Sequence, residues 1–126
     1  MSRQRPLSPH LTVYRPLIGA FTSILHRAMN TALFAGCGLL ALWLLAVAQG
    51  GELFDWYSAV LHSLIGRALL VVLTFAGCYS AAQWIRHLFW DMGYGFALET
   101  SRRSALAALW GSAAVTLLIW AVVLIR

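Results

Sequence analysis

A chain of 126 residues that is 61% hydrophobic and 10% charged, with a mean hydropathy of +0.77, carries more apolar surface than a soluble domain of that size can hide. Its net charge of +5 comes from arginines and no lysine, gathered at the ends of apolar stretches, so topology accounts for them and nucleic acid is not an expected partner. Cys37 and Cys78 fall inside apolar stretches without CxxC or metal-ligand spacing and read as packing residues.

Residues 1–20 read as an irregular arm, because Pro6, Pro9 and Pro16 each lack an N–H and restrict the residue before them. Leu7, Leu11, Val13, Tyr14, Leu17 and Ile18 make that arm more apolar than a disordered tail and predict that it docks. It has no apolar h-region, which excludes a typical cleaved secretory signal.

Three stretches lack any charged side chain: Ala28–Gly51, Ala68–Ile85 and Ser104–Ile125. Crossing a bilayer takes roughly 20 apolar residues. The pattern predicts an all-α membrane protein with transmembrane helices over about 22–49, 60–90 and 104–125, forming one membrane-anchor domain over 1–126. The first helix, at about 1.5 Å per residue, exceeds a hydrocarbon core of roughly 30 Å, so its first turns protrude. Residues 50–57 read as a short loop, Gly93 and Gly95 end the second helix, and 96–103 reads as an amphipathic connector.

Trp56, Tyr57, Trp84, Trp90 and Tyr94 fall near helix ends, as an aromatic belt requires, while Trp43, Trp110 and Trp120 face lipid or a neighbouring helix. Small residues recur in the second and third helices and predict close helix approach. Three helices are too few to enclose a sizeable site, so the bundle is expected to be part of a heteromeric one.

Arg3, Arg5, Arg15 and Arg27 precede the first helix; Arg86, Arg102 and Arg103 flank the second connection; Glu52 and Asp55 occupy the first. The positive-inside rule then puts the N-terminus and the second connection in the cytoplasm, or the matrix of an organelle. Two polar clusters fall on that side. Ser23, His26 and Arg27 lie three and four residues apart at the start of the first helix and can share a face. Arg86, His87, Trp90 and Asp91 close the second, where His87 and Asp91 are spaced to hydrogen-bond. Together they predict a positively charged pocket at the membrane boundary, suited to carboxylates or to a quinone oxygen gaining charge.

Three blocks carry a family resemblance: RPLSPHLTVYR over residues 5–15, SILHR over 23–27 and IRHLFWDMG over 85–93. In order and spacing they resemble the cytochrome b556 membrane-anchor subunits of succinate dehydrogenase, respiratory complex II, over essentially the whole chain. The resemblance implies a non-catalytic subunit of an oxidoreductase complex of the tricarboxylic acid cycle and respiratory chain. Its partners would be a second small membrane anchor, an iron–sulfur subunit, a flavoprotein subunit and the lipid bilayer. Ser23 and Arg27 would then be ubiquinone-site residues, with Ile24 an apolar wall, and His26, Arg27, Arg86 and His87 would neighbour haem propionates.

One position departs from the family pattern. The axial haem histidine is expected seven residues before His87, where this chain has Ser80, a poor ligand for haem iron. Three readings stay open. The complex lacks haem; or haem is held by the partner's ligand alone or with Tyr79 or Cys78; or His87 or His62 is recruited. Serine at position 80 favours loss or weakening of haem binding in this subunit. The short, presequence-free N-terminus points to a bacterial cytoplasmic membrane rather than a mitochondrial one.

Two other classes compete. A small transporter component would place an ionisable residue mid-span, and none lies there. A cofactor-free anchor or assembly subunit predicts that Ser23 and Arg27 tolerate substitution.

Overall fold

The computed structural model describes residues 17–125, which form four helices and no strand: α1 (Ile18–Gln49), α2 (Gly51–His62), α3 (Leu64–Asp91) and α4 (Leu98–Ile125). The expected docking of the arm falls on residues 1–16, outside the described residues. α1, α3 and α4 are each long and apolar enough to cross a membrane, and at about 1.5 Å per residue each exceeds the roughly 30 Å core.

The boundaries differ from those expected, for physical reasons. α1 begins at Ile18 rather than near 22, because the chain needs only one extended residue, Leu17, after Pro16 before φ and ψ turn helical. The stretch expected as a loop over 50–57 is instead helix α2. Its apolar residues Leu53, Trp56, Tyr57, Val60 and Leu61 recur at helical spacing, and Glu52 sits in the first turn, where the helix dipole favours an acid. The Tyr57 hydroxyl donates to the Leu39 carbonyl at 2.7 Å and ties α2 back onto α1. α3 therefore starts at Leu64, later than the expected 60, with the Ser63 hydroxyl accepting from the Gly66 N–H at 3.1 Å. A β-carbon at Gly66 would lie 2.2 Å from the Val60 carbonyl oxygen, so only glycine permits this junction.

α4 begins at Leu98 rather than at 104. Its first turns carry charges that point outward, and Arg103 pairs with Glu99 one turn earlier at 2.8 Å, so the polar stretch stays helical. Hydropathy marks only the apolar part. α3 ends where Gly93 adopts a φ of 85°: the Gly93 N–H bonds the Trp90 carbonyl and the Tyr94 N–H bonds the Phe89 carbonyl, the paired bonds of a Schellman ending.

Cross-helix pairs define the topology. Tyr79 reaches Thr22 and Leu73 lies against Gly36, so α1 and α3 run antiparallel. Arg86 reaches Ser104 and Trp120 reaches Thr74, so α3 and α4 do too. The start of α1, the end of α3 and the start of α4 thus share one end of the bundle. The buried core consists mainly of small or hydroxyl side chains, Ala76 and Ser80 on α3 and Ala105, Ala108, Ser112 and Thr116 on α4, with Tyr79 and Gln83 the larger exceptions. Ser112 and Thr116 donate to the carbonyls four residues back, which satisfies their hydroxyls inside the bundle. Most large apolar side chains point outward, as expected where lipid or further subunits provide the solvent.

Candidate functional site

At the shared end lies a recess of about 110 Å³ lined by Gly19, Thr22, Ser23, His26, Gln83, Arg86, His87, Trp90 and Ser101. It joins both polar clusters expected from the sequence. The His26 and His87 ring centroids are 5.9 Å apart. Trp84 stands edge-on to His26 at 5.9 Å, and His87 packs edge-on against Trp90 at 5.0 Å. His26 Nε2 shares a 3.2 Å hydrogen bond with Asn30 Nδ2.

The first cluster does not stay together. Ser23 and His26 line the recess, whereas Arg27 is exposed and absent from its lining, and Ile24 is 67% exposed beside it. Ile24 and Arg27, three residues apart, face outward, where this chain meets lipid or another subunit. The expected His87–Asp91 hydrogen bond is not among those formed by the described residues: Asp91 is exposed, and the aromatic contact with Trp90 orients His87 instead.

Arg86 is held from several sides. Its Nε donates to Ser104 Oγ at 3.1 Å, Nη2 to the Ser101 carbonyl at 3.2 Å and Nη1 to Gln83 Oε1. The guanidinium also lies over the Trp90 ring, 4.7 Å from its centroid. Gln83 Nε2 donates to the Tyr79 hydroxyl at 2.6 Å, and that hydroxyl donates to the Thr22 carbonyl at 3.1 Å. A polar chain therefore crosses the bundle from α4 through α3 to the backbone beside Ser23. Sequence reading missed Gln83, Ser101 and Ser104, and named Tyr79 only as a substitute haem ligand. The signal was present: Tyr79, Gln83 and Arg86 sit at i, i+4 and i+7, a polar stripe on an otherwise apolar helix.

Ser80 is buried, and its Oγ has no hydrogen-bond partner among the described residues. Tyr79 is fully buried with its hydroxyl committed on both sides. Cys78 is a free, half-buried thiol two residues from Ser80, which at about 100° per residue puts it on nearly the opposite side of α3. His62 is exposed at the far end of the bundle. No group of three His, Cys, Asp or Glu side chains able to hold a metal ion occurs among the described residues. A larger groove of about 420 Å³ runs between α1, α2 and α3 in the other half, lined by Leu33, Cys37, Trp43, Tyr57 and Leu73 among others, and carries no charged side chain or histidine.

Fold and site together define a membrane-embedded helical subunit with a polar recess at one boundary. The family model for succinate dehydrogenase/fumarate reductase transmembrane subunits matches residues 1–119, and the chain belongs to that family. It is 37% identical over 117 residues to the succinate dehydrogenase cytochrome b556 subunit of Rickettsia typhi, covering 93% of this chain and 91% of that one. It is 39% identical over 114 residues to the cytochrome b556 subunit of Paracoccus denitrificans, covering 90% and 88%. The mitochondrial cytochrome b560 subunit of Mus musculus is 35% identical over 113 residues, covering 86% of this chain and 65% of that protein.

Proposed function

We propose that this chain is a membrane-anchor subunit of a succinate:quinone oxidoreductase and supplies one wall of its ubiquinone-reduction site. The observation that carries this reading is the recess itself, where Ser23 and His26 of α1 meet Arg86 and His87 of α3 at one bundle end. Hydroxyl, imidazole and guanidinium groups facing one small space at a membrane boundary suit a molecule with polar oxygens and a lipophilic body. Ser23 donates to a quinone oxygen. Arg27 and Ile24, facing outward, meet the head group from the side of a neighbouring subunit. Electrons from succinate arrive through an iron–sulfur subunit, itself bound to a flavoprotein subunit, and a second small anchor covers the outward faces. With the recess on the arginine-rich side, the N-terminus lies in the cytoplasm and the complex in a bacterial inner membrane.

Haem needs separate treatment. The relatives' names, cytochrome b556 and b560, denote haem b proteins. On this chain, residue 80 does not fit the group: a buried serine hydroxyl, without a partner among the described residues, stands where the family pattern has an imidazole, Tyr79 is engaged elsewhere, and Cys78 faces away. None of these three residues supplies an iron ligand, and quinone reduction needs none, since the iron–sulfur chain can reach the quinone directly.

The test is succinate oxidation by the purified complex, measured with ubiquinone and with an artificial acceptor that bypasses the membrane site. Ser23→Ala should lose ubiquinone reduction and keep the artificial reaction. Unchanged ubiquinone reduction would favour a cofactor-free anchor.

A further inference from the structure

We infer that Arg86 is a second cation, besides Arg27, that this chain turns toward the quinone, and that Gln83 is the positioning residue that holds it there. The inference rests on the quinone reading above and adds which side chain meets the head group and what fixes it.

The first support is location. Arg86 lines the recess with Ser23, whereas Arg27, the guanidinium suggested by sequence, is exposed outside it. Ser23 and Arg86 line the same space, so both can meet one quinone oxygen.

The second is uncompensated charge. Among the described residues the ion pair found is Arg103 with Glu99, which leaves Arg86 without a carboxylate. Every group that holds it is neutral: a serine hydroxyl, a backbone carbonyl, an amide oxygen and an indole face. These fix the guanidinium without cancelling its charge. A cation partly withdrawn from water, and still charged, attracts any oxygen that gains electron density beside it.

The third is the design of the support. Gln83 is 2% exposed and uses both ends of its amide, accepting from Arg86 and donating to Tyr79. Tyr79 anchors that pair to the Thr22 carbonyl, one residue before Ser23. The two recess donors are therefore fixed relative to one another through a single polar chain. An amide is the group that can do this: leucine offers neither end, and glutamate would neutralise the charge it holds.

In the reaction, succinate gives up two electrons and two protons and becomes fumarate. The quinone takes up two electrons, delivered through the iron–sulfur subunit, and two protons, and becomes quinol. Arg86 keeps all of its protons; it stabilises the oxygen that turns negative when the first electron arrives ahead of its proton.

The experiment uses the whole purified complex with Gln83→Glu, Arg86→Lys and Ser23→Ala, assayed with ubiquinone and with an artificial acceptor. Gln83→Glu retains the acceptor for Arg86 but places a carboxylate beside it and loses the donor to Tyr79, so recovery of assembled complex and the artificial-acceptor rate report the structural cost separately from the loss at the quinone. The expected result is an assembled complex whose kcat/KM for ubiquinone falls about tenfold or more, while the artificial reaction persists. Arg86→Lys keeps a charge but not the three-point hold, and should raise KM for ubiquinone about tenfold. Unchanged ubiquinone kinetics in Gln83→Glu, or in an assembled Arg86→Lys complex, overturn the inference. If Ser23→Ala alone is impaired, the quinone reading stands and this inference falls. If all three match the wild type, the quinone reading itself falls.

Discussion

His26 on α1 and His87 on α3 bring their rings to 5.9 Å, with the planes tilted by 32°, although the two helices run in opposite directions. Trp84 and Trp90 pack edge-on against them. The pair forms a single aromatic wall of the recess, so its members should act together. Alanine at either position should impair ubiquinone reduction, and the double variant should lose less than the two single effects combined. A coupling energy of about 0.5–3 kcal/mol in a double-mutant cycle is expected; strict additivity would separate the rings functionally.

Tyr79 joins α1 to α3 through its hydroxyl and is fully buried. Tyr79→Phe keeps the ring stack on Phe75 but leaves the Gln83 amide and the Thr22 carbonyl each short of a partner. The expected loss is about 1–3 kcal/mol, read as a lower Tm of the detergent-solubilised complex.

Gly66 sits where α2 turns into α3, and a methyl group there would meet the Val60 and Leu61 backbone. Backbone cannot yield as a flexible side chain can. Gly66→Ala should cost about 2–4 kcal/mol and lower the amount of subunit recovered in membranes. Gly36→Ala meets only the movable end of Leu73 and should be milder.

The Ser80 hydroxyl is buried without a partner among the described residues. Ser80→Ala removes an unsatisfied polar group and should be neutral or stabilising by about 1 kcal/mol. The visible absorption spectrum of the purified complex should be the same for both proteins. A change in the haem bands would show that residue 80 touches the pigment after all.

Fold class was legible because hydropathy over a helix-length window is a strong signal, and no charge interrupts the middle of α1, α3 or α4. Helix ends were harder to read. Charge near Glu99 and Arg103 suggests a connector, yet outward-facing charges cost a helix nothing at its polar end. Gly50-Gly51 suggests a loop, yet the glycines form only the hinge, and the amphipathic run after them is helical. The recess was legible in outline, since helices joined in alternating directions bring Ser23 and His87 to one end. Which arginine faces inward was not. Arg27 and Arg86 both sit beside a histidine, and only the neutral partners gathered around Arg86 distinguish them.

An odd number of crossings has a practical outcome. The start of α1 and the end of α4 emerge into different compartments, so a fluorescent or affinity tag after α4 hangs on the face away from the recess. A tag of that kind leaves the mouth of the recess uncovered.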